Sequence, residues 1–162
     1  MPSFRIRAAT RADDLFFRQM ELQTTWASLH PEDQKRLRKE DFREALTETH
    51  ELLLKRPGTQ VRVAETEEGQ RVGLLWFGVN RNLITGEDEA WIYNVSVVPE
   101  FQGQGVGALL VQHAEELARE GGHDVLGLMV AEHNERARRL YEKVDFHTTN
   151  RVMRKFLDRP GK

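Results

Sequence analysis

The chain has 162 residues, of which 39% are hydrophobic and 31% charged, and it contains no cysteine. It has 24 Lys and Arg residues and 26 Asp and Glu residues, and the resulting net charge of −2 disfavours broad nucleic-acid binding. The absence of cysteine excludes disulfides, a thiolate nucleophile and thiolate metal ligands. The charged first residues do not resemble a signal peptide, and no apolar run approaches the ~18–20 residues of a membrane helix. We therefore expect a soluble cytoplasmic protein without a membrane segment.

The length fits one domain covering residues 1–162. In the first half, alternation of apolar and polar residues predicts a strand, and two helical patterns follow it. A hairpin with its turn at Glu67–Gln70 and a further strand come next. The predicted elements are a strand at Phe4–Ala8, a helix opening at Thr10, a helix from Pro31 to Pro57, and strands at Val61–Glu65, Arg71–Val79 and Trp91–Val98.

The second half alternates helices and strands. A helix is predicted over Gly107–Glu120, a buried strand over Val125–Val130, a helix over Asn134–Val144, and two closing strands over Phe146–Thr149 and Arg151–Phe156. The strand–helix–strand crossover implies one parallel pair of strands. The predicted fold class is therefore α+β, with a mixed, mainly antiparallel sheet.

A glycine-rich loop joins the Trp91–Val98 strand to the next helix. Its residues are Gln102, Gly103, Gln104, Gly105, Val106 and Gly107. Glycines allow close backbone approach, and a helix N-terminus offers free amides, so the loop suits a phosphate or pyrophosphate. A plain glycine-rich turn remains the alternative. A dinucleotide-binding fingerprint fits poorly because four residues separate strand and first glycine, and no P-loop Lys-Ser/Thr follows.

The loop resembles the Q/R-x-x-G-x-G/A motif of the GNAT superfamily of acetyl-CoA-dependent N-acetyltransferases. A second segment, Asn134-x-x-Ala137-x-x-x-Tyr141-x-x-x-x-Phe146, is similar to another motif of that family. Asp145 replaces the glycine that usually precedes the phenylalanine, and Asp tolerates the left-handed backbone that such a turn needs. The resemblance implies a GNAT-like sheet with a central splayed parallel strand pair, flanked by about four helices.

The resemblance also implies how acetyl-CoA is bound as co-substrate. Its pyrophosphate would lie on the amides of Gln102–Gly107, and the amides of Val95 and Val97 would pair with the pantetheine arm and thioester carbonyl. A β-bulge would expose those two amides. Asn134 is a helix N-cap by sequence, and its family position suggests that it also faces the cofactor. The basic residues of this helix are read as a solvated face, from which one could reach the 3′-phosphate; they are Arg136, Arg138, Arg139 and Lys143.

Tyr141 is the candidate general acid, since a phenol pKa of about 10 suits protonation of a departing thiolate. The alternative is a tyrosine that only packs in the core. Glu89 is the candidate base, with a solvated edge glutamate and a water chain as alternatives. Direct transfer in a ternary complex is expected because no activated nucleophile is visible.

The acceptor amine is not encoded in any motif. A small-molecule amine or amino-acid-like acceptor is preferred to a protein, and the family resemblance favours a possible homodimer. The six histidines show no metal-ligand spacing, so no metal is predicted. A non-catalytic acyl-CoA-binding or sensor protein of the same fold is the main alternative to the enzyme, and a dehydrogenase is a more distant one.

Overall fold

The computed structural model describes residues 2–158. Five strands and five α-helices follow one another along this part of the chain, with short 3₁₀ turns at Arg11–Asp13 and Pro99–Phe101. In chain order the elements are β1 (Phe4–Ala8), α1 (Asp14–Ser28), α2 (Pro31–Arg36), α3 (Lys39–Leu54), β2 (Gln60–Thr66), β3 (Arg71–Arg81), β4 (Asp88–Val97), α4 (Val106–Glu120), β5 (Leu126–Leu128) and α5 (Glu135–Lys143).

The five strands form one sheet in the order β1-β2-β3-β4-β5. Neighbouring strands are antiparallel except for β4 and β5, which run parallel. The mixed, mainly antiparallel sheet predicted from the sequence is therefore confirmed. The parallel ladder is short: it ends where Ile92 pairs with Leu128, although β4 continues to Val97. Beyond that pair the two strands no longer share a ladder.

Helices cover both faces of the sheet because β3 is apolar on both sides. Leu75 and Phe77 face α4, where they pack with Val106 and Leu110. Leu74 and Trp76 face the opposite way and pack with Phe17 and Met20 of α1. Burying one such side chain contributes roughly 1.5–3 kcal/mol, so these two layers fix the helices on the sheet.

A β-bulge lies in β4 at Tyr93. Trp76 of β3 pairs with Asn94 and the next residue, Phe77, pairs with Ile92, so Tyr93 is an extra residue. The bulge changes which side chains face each layer. Before it, Ile92 packs in the layer beside α4, and after it Val95 does so.

The structure corrects the bounds of one predicted helix and one predicted strand. The helix predicted from Pro31 to Pro57 is two helices, because Leu37 and Arg38 adopt extended backbone between α2 and α3. This break redirects α3 so that Phe42 packs on Trp26, with ring centroids 5.2 Å apart. The periodic pattern continues across the break and therefore conceals it. The strand predicted at Val125–Val130 is shorter, with only Leu126–Leu128 in the ladder.

The two closing strands predicted at Phe146–Thr149 and Arg151–Phe156 are absent from the described residues 146–158. This segment instead contacts α2. The Phe156 ring stacks on His30 at 5.0 Å and lies under the guanidinium groups of Arg36 and Arg154. Arg154 also binds both oxygens of Asp33, at 2.6 and 3.3 Å. Contacts with α2 and its N-cap residue take the place of a strand ladder in this segment.

Candidate functional site

The glycine loop forms the N-terminus of α4, as predicted. Gly103 and Gly105 adopt φ of 79° and 87°, a left-handed conformation that favours glycine. Gly105 is the N-cap of α4, and the helix begins at Val106. The first amides of a helix have no partner within it and lie at the positive end of its dipole. The loop is exposed, so these amides are available to an anion.

Gln102 links the glycine loop to both neighbouring elements. Its side-chain nitrogen donates to the carbonyl oxygen of Val97 in β4 at 3.0 Å. Its side-chain oxygen accepts a hydrogen bond from Arg136 Nη1 in α5 at 2.6 Å. Arg136, read from sequence as a solvated residue or a phosphate contact, thus lies beside the loop and gives it a positive charge.

The bulge decides which β4 amides point away from β3. The amide of Val98 donates to Val72 of β3 at 2.9 Å, and the amide of Ala90 donates to Val125 beside β5 at 3.1 Å. Strand amides alternate in direction, so those of Val95 and Val97 point away from β3. They lie past the last parallel pair, where no β5 residue is in register. The one-residue insertion at Tyr93 therefore leaves the amides of Val95 and Val97 pointing away from β3.

Asn134 and Tyr141 lie at opposite ends of α5. Asn134 caps the helix, because its side-chain oxygen accepts from the amide of Ala137 at 3.2 Å. Tyr141 is half-buried and packs edge-on against Phe146, with centroids 5.7 Å apart. Burial raises the pKa of Tyr141 to about 12, so the phenol is protonated over the whole physiological range. It thus carries the proton that a general acid needs.

The turn after α5 forms despite the missing glycine. Asp145 has φ of 67° and is the only non-glycine residue with positive φ in the part of the chain that the structure describes. The amide of Phe146 donates to the carbonyl of Tyr141 at 2.9 Å. The expectation that Asp145 tolerates the left-handed conformation is confirmed.

Glu89 lies at the beginning of β4, opposite Asn80 of β3. Asn82 Nδ2 donates to Glu89 Oε1 at 2.7 Å, which ties the carboxylate to the β3–β4 connection. Glu89 lies four positions before the bulge residue Tyr93, or about 13 Å along a strand. The structure therefore brings Gln102, Val97 and Arg136 together and places Glu89 towards the other end of β4.

A buried carboxyl group that sequence reasoning missed lies on α1, facing the bulge. Glu21 is only 2% exposed and accepts a hydrogen bond from the Asn94 side chain. Its other oxygen lies 3.1 Å from Nε2 of His50 in α3. A sequence signal exists, because Phe17, Glu21 and Thr24 fall on one helical face at i, i+4 and i+7. A glutamate on an apolar face is a candidate for a structural or functional role.

Within residues 2–158, no three His, Asp or Glu side chains are grouped so as to hold a metal ion. In the same part of the chain, none of the helices combines the length and apolar character needed to cross a bilayer.

Comparison with known proteins identifies the family. The model of the acetyltransferase (GNAT) family matches residues 21–146, and the chain belongs to this family. An uncharacterized N-acetyltransferase of Bacillus subtilis, YycN, is 31% identical over 82% of this chain and 80% of its own. The B. subtilis relative YdgE, also an uncharacterized N-acetyltransferase, is 38% identical over 56% of this chain, and the match spans only 57% of YdgE.

Solved structures show the same fold. A Pyrococcus furiosus protein assigned as an acetyl transferase has a TM-score of 0.79 at 23% identity, with 96% of this chain and all of that chain covered. The aminoglycoside N-acetyltransferase AAC(6')-Iy, solved in complex with CoA, has a TM-score of 0.70 at 15% identity, with 99% and 97% covered. At these identities the likeness concerns the fold. The fold and family expected from the glycine loop and the Asn134–Phe146 segment are confirmed.

Proposed function

We propose that the protein is an N-acetyltransferase that moves an acetyl group from acetyl-CoA directly to an amine. One observation carries this proposal: the bulge at Tyr93 directs the amides of Val95 and Val97 away from β3, next to the glycine loop. Donors for a thioester and an anion-binding helix terminus thus lie on one continuous segment. Family membership and the CoA complex of AAC(6')-Iy support the same reading.

The pyrophosphate of the co-substrate would bind the amides of Gln102, Gly103, Gln104, Gly105, Val106 and Gly107. Arg136 would add a positive charge beside Gln102. The pantetheine arm would enter between β4 and β5, where the ladder has ended. Asn134, whose side-chain oxygen caps α5, would face the arm from the other side of the gap.

In the transfer step, the acceptor nitrogen attacks the thioester carbon, a C–N bond forms and the C–S bond breaks. The amides of Val95 and Val97 stabilise the negative charge on the carbonyl oxygen, an effect worth about 3–4 kcal/mol per donor in comparable sites. Tyr141 donates its proton to the departing thiolate. Because its pKa is about 12, this donation requires the phenolate to be stabilised as it forms. The acceptor ammonium loses one proton to Glu89 or a water chain before the attack, and the second proton that its nitrogen loses afterwards returns the Tyr141 phenolate to the neutral phenol.

The acceptor is a small amine or an amino-acid-like molecule in this proposal. One relative is a ribosomal protein bS18-alanine N-acetyltransferase of Haemophilus influenzae, which is 36% identical over 46% of this chain. The structural neighbour AAC(6')-Iy is an aminoglycoside N-acetyltransferase. Both kinds of acceptor present an amine and belong in the test. A homodimer, a cytoplasmic location and a single domain over residues 1–162 stay predictions.

The test measures binding and turnover separately. Calorimetry with CoA measures association, and free-thiol release from acetyl-CoA is followed with a panel of small amines, amino acids, aminoglycosides and N-terminal peptides. We expect CoA to bind and at least one amine to accelerate thiol release. The Tyr141→Phe variant should keep CoA affinity and lose most turnover. Binding without amine-dependent release would support the alternative, a non-catalytic acyl-CoA-binding protein, and absence of binding would overturn both.

A further inference from the structure

Helix α1 is joined to the bulge in β4 by hydrogen bonds from the Asn94 side chain. The Asn94 side-chain nitrogen donates to Glu21 Oε1 and, at 2.8 Å, to Thr24 Oγ1. Both hydrogens of this amide group are therefore used, and both acceptors lie on α1. Glu21 is buried, and Thr24 in turn donates to the carbonyl of Met20 at 2.7 Å. The contact is fixed at both ends.

Asn94 is the residue that follows the extra residue of the bulge. Its position opposite Trp76 sets the register of the rest of β4. A slip of one residue would reverse the direction of every later amide in the strand. The amides of Val95 and Val97 would then point towards β3. The hydrogen bonds that fix the Asn94 side chain therefore also fix the direction of the Val95 and Val97 amides, to which the proposed function assigns the thioester.

The second oxygen of Glu21 contacts an uncharged partner. Burial raises the pKa of Glu21 to about 8 and lowers that of His50 to about 4, with the positive charge of Arg18 contributing to the shift at His50. Near pH 7 the carboxyl group is therefore protonated and the imidazole neutral. The carboxyl O–H donates to His50 Nε2, 3.1 Å away. The neutral carboxyl group of Glu21 thus accepts a hydrogen bond from Asn94 and donates one to His50, and these two hydrogen bonds fix the orientation of both partners.

We propose that Glu21 is a positioning residue for acetyl transfer: by holding Asn94 it keeps the bulge in β4 and the amides of Val95 and Val97 directed at the thioester. This inference rests on the proposed function, in which those amides bind the thioester. Glu21 acts through Asn94 and does not touch the reacting atoms. It is separate from the proton acceptor, a role for which Glu89 or water is proposed.

The test compares two replacements of Glu21. Glu21→Gln keeps an oxygen that accepts from Asn94 and an N–H group that donates to His50, so it reproduces the protonated carboxyl. Glu21→Leu is similar in size but removes both hydrogen bonds. Met20→Ala, also buried on α1, is the matched control for lost packing with the hydrogen bonds retained. Thr24→Val removes the second acceptor and serves as a milder variant should Glu21→Leu fail to fold.

We expect Glu21→Leu to lower kcat about tenfold or more, with KM for acetyl-CoA changed less than about threefold, since the glycine loop is intact. Glu21→Gln should retain most of the wild-type kcat and its pH profile. Thr24→Val should lie between them. In the protein without ligand, amide hydrogen exchange at Ser96 should be faster in Glu21→Leu than in Glu21→Gln or Met20→Ala.

Two outcomes would overturn the inference. One is a Glu21→Leu variant with wild-type kcat and wild-type exchange at Ser96. The other is a Glu21→Gln variant as inactive as Glu21→Leu with a flattened pH profile, which would make Glu21 a proton acceptor. Failure of the proposed function is recognised separately, because the wild-type protein would then show no amine-dependent thiol release. The comparison of amide hydrogen exchange at Ser96 tests whether Glu21 stabilises β4, whether or not the protein transfers an acetyl group.

Discussion

Arg136 Nη1 lies 2.6 Å from Gln102 Oε1, so a cation of α5 is hydrogen-bonded to the first residue of the glycine loop. Gln102 is uncharged, and the family pattern allows arginine at its position. Arg136 thus supplies from a different element the positive charge that arginine would bring. An anion at the loop would interact with this guanidinium and with the amides at the start of α4.

Replacing Arg136 with Met should weaken CoA binding about fivefold, which corresponds to about 1 kcal/mol. The methionine keeps much of the aliphatic stem and removes the charge. The affinity difference between wild type and variant should shrink as salt is raised, because the guanidinium is exposed and screened. Calorimetry at two salt concentrations measures both effects.

Arg139→Met is the matched control for that experiment. Arg139 lies on the same helix, is 80% exposed and pairs with Glu135 at 3.5 Å, as exposed i,i+4 pairs do. We expect no change in CoA affinity. Equal losses in the two variants would show that only the overall charge of α5 matters.

Gly127 of β5 makes room for the Trp91 ring of β4. A Cβ atom at Gly127 would lie 2.4 Å from Cζ3 of Trp91, which is far closer than carbon atoms approach. Gly127→Ala should therefore lower the free energy of unfolding by about 1–3 kcal/mol, as overpacking does. Chemical denaturation of the variant and wild type measures the loss.

A double-mutant cycle tests whether the clash with Trp91 is the cause. The Trp91→Leu replacement removes the ring, so adding Gly127→Ala to it should cost much less than Gly127→Ala costs in the wild type. Additive effects of the two substitutions would contradict this reading of the contact.

The stability of the protein should fall between pH 6.5 and 8.5 because of Glu21. Its pKa rises from 4.5 to about 8 on folding, so its carboxyl group ionises in the unfolded chain at lower pH than in the fold. The stabilisation from this group is complete at pH values below its pKa in the unfolded chain, and it is lost as the pH rises through its pKa of about 8 in the fold. We expect the free energy of unfolding to fall by about 2 kcal/mol between pH 6.5 and 8.5 because of this group.

The difference between wild type and Glu21→Gln isolates that contribution, because every other group titrates in both proteins. The pKa of His50 falls to about 4 on folding, so its own effect belongs to pH values below about 6.5 and lies outside the window. Denaturation curves at pH 6.5 and 8.5 supply the measurement. Parallel changes in the two proteins would contradict a raised pKa for Glu21.

Asp145 occupies a backbone conformation that favours glycine. Its φ of 67° costs an alanine about 1 kcal/mol or more, and Asp somewhat less. We expect Asp145→Ala to lower the free energy of unfolding by about 1 kcal/mol and Asp145→Gly to preserve or raise it. Thermal unfolding of the three proteins checks the order. A more stable alanine variant would mean that the Asp145 conformation carries no strain.

The glycine loop, the cap at Asn134 and the parallel strand pair could be predicted from the sequence, because short-range patterns and family motifs define them. The link between Glu21 and Asn94 could not, since the two residues are 73 positions apart and only the packing of α1 on β4 joins them. The role of Arg136 was left open for a similar reason. Its partner Gln102 lies 34 positions away, and the exposed helix face gives no sign of it.

The missing closing strands have a different cause. The Arg151–Phe156 segment has no strict alternation of polarity, and Val152 and Met153 are exposed. Arg154 binds Asp33 of α2 and Phe156 stacks on His30, the N-cap of that helix, while residues 146–158 form no strand. The polarity of so short a segment does not specify whether a strand or a helix covers it.

The additional residue at Tyr93 also affects how this protein is compared with others. Even-numbered residues of β4 face α4 up to Ile92, and odd-numbered ones do so from Val95 onwards. An ungapped alignment to a relative without the insertion would equate positions that face α4 with positions on the opposite face of the sheet over half of the strand. An alignment that places a gap at Tyr93 keeps both Ile92 and Val95 matched to residues that pack beside α4.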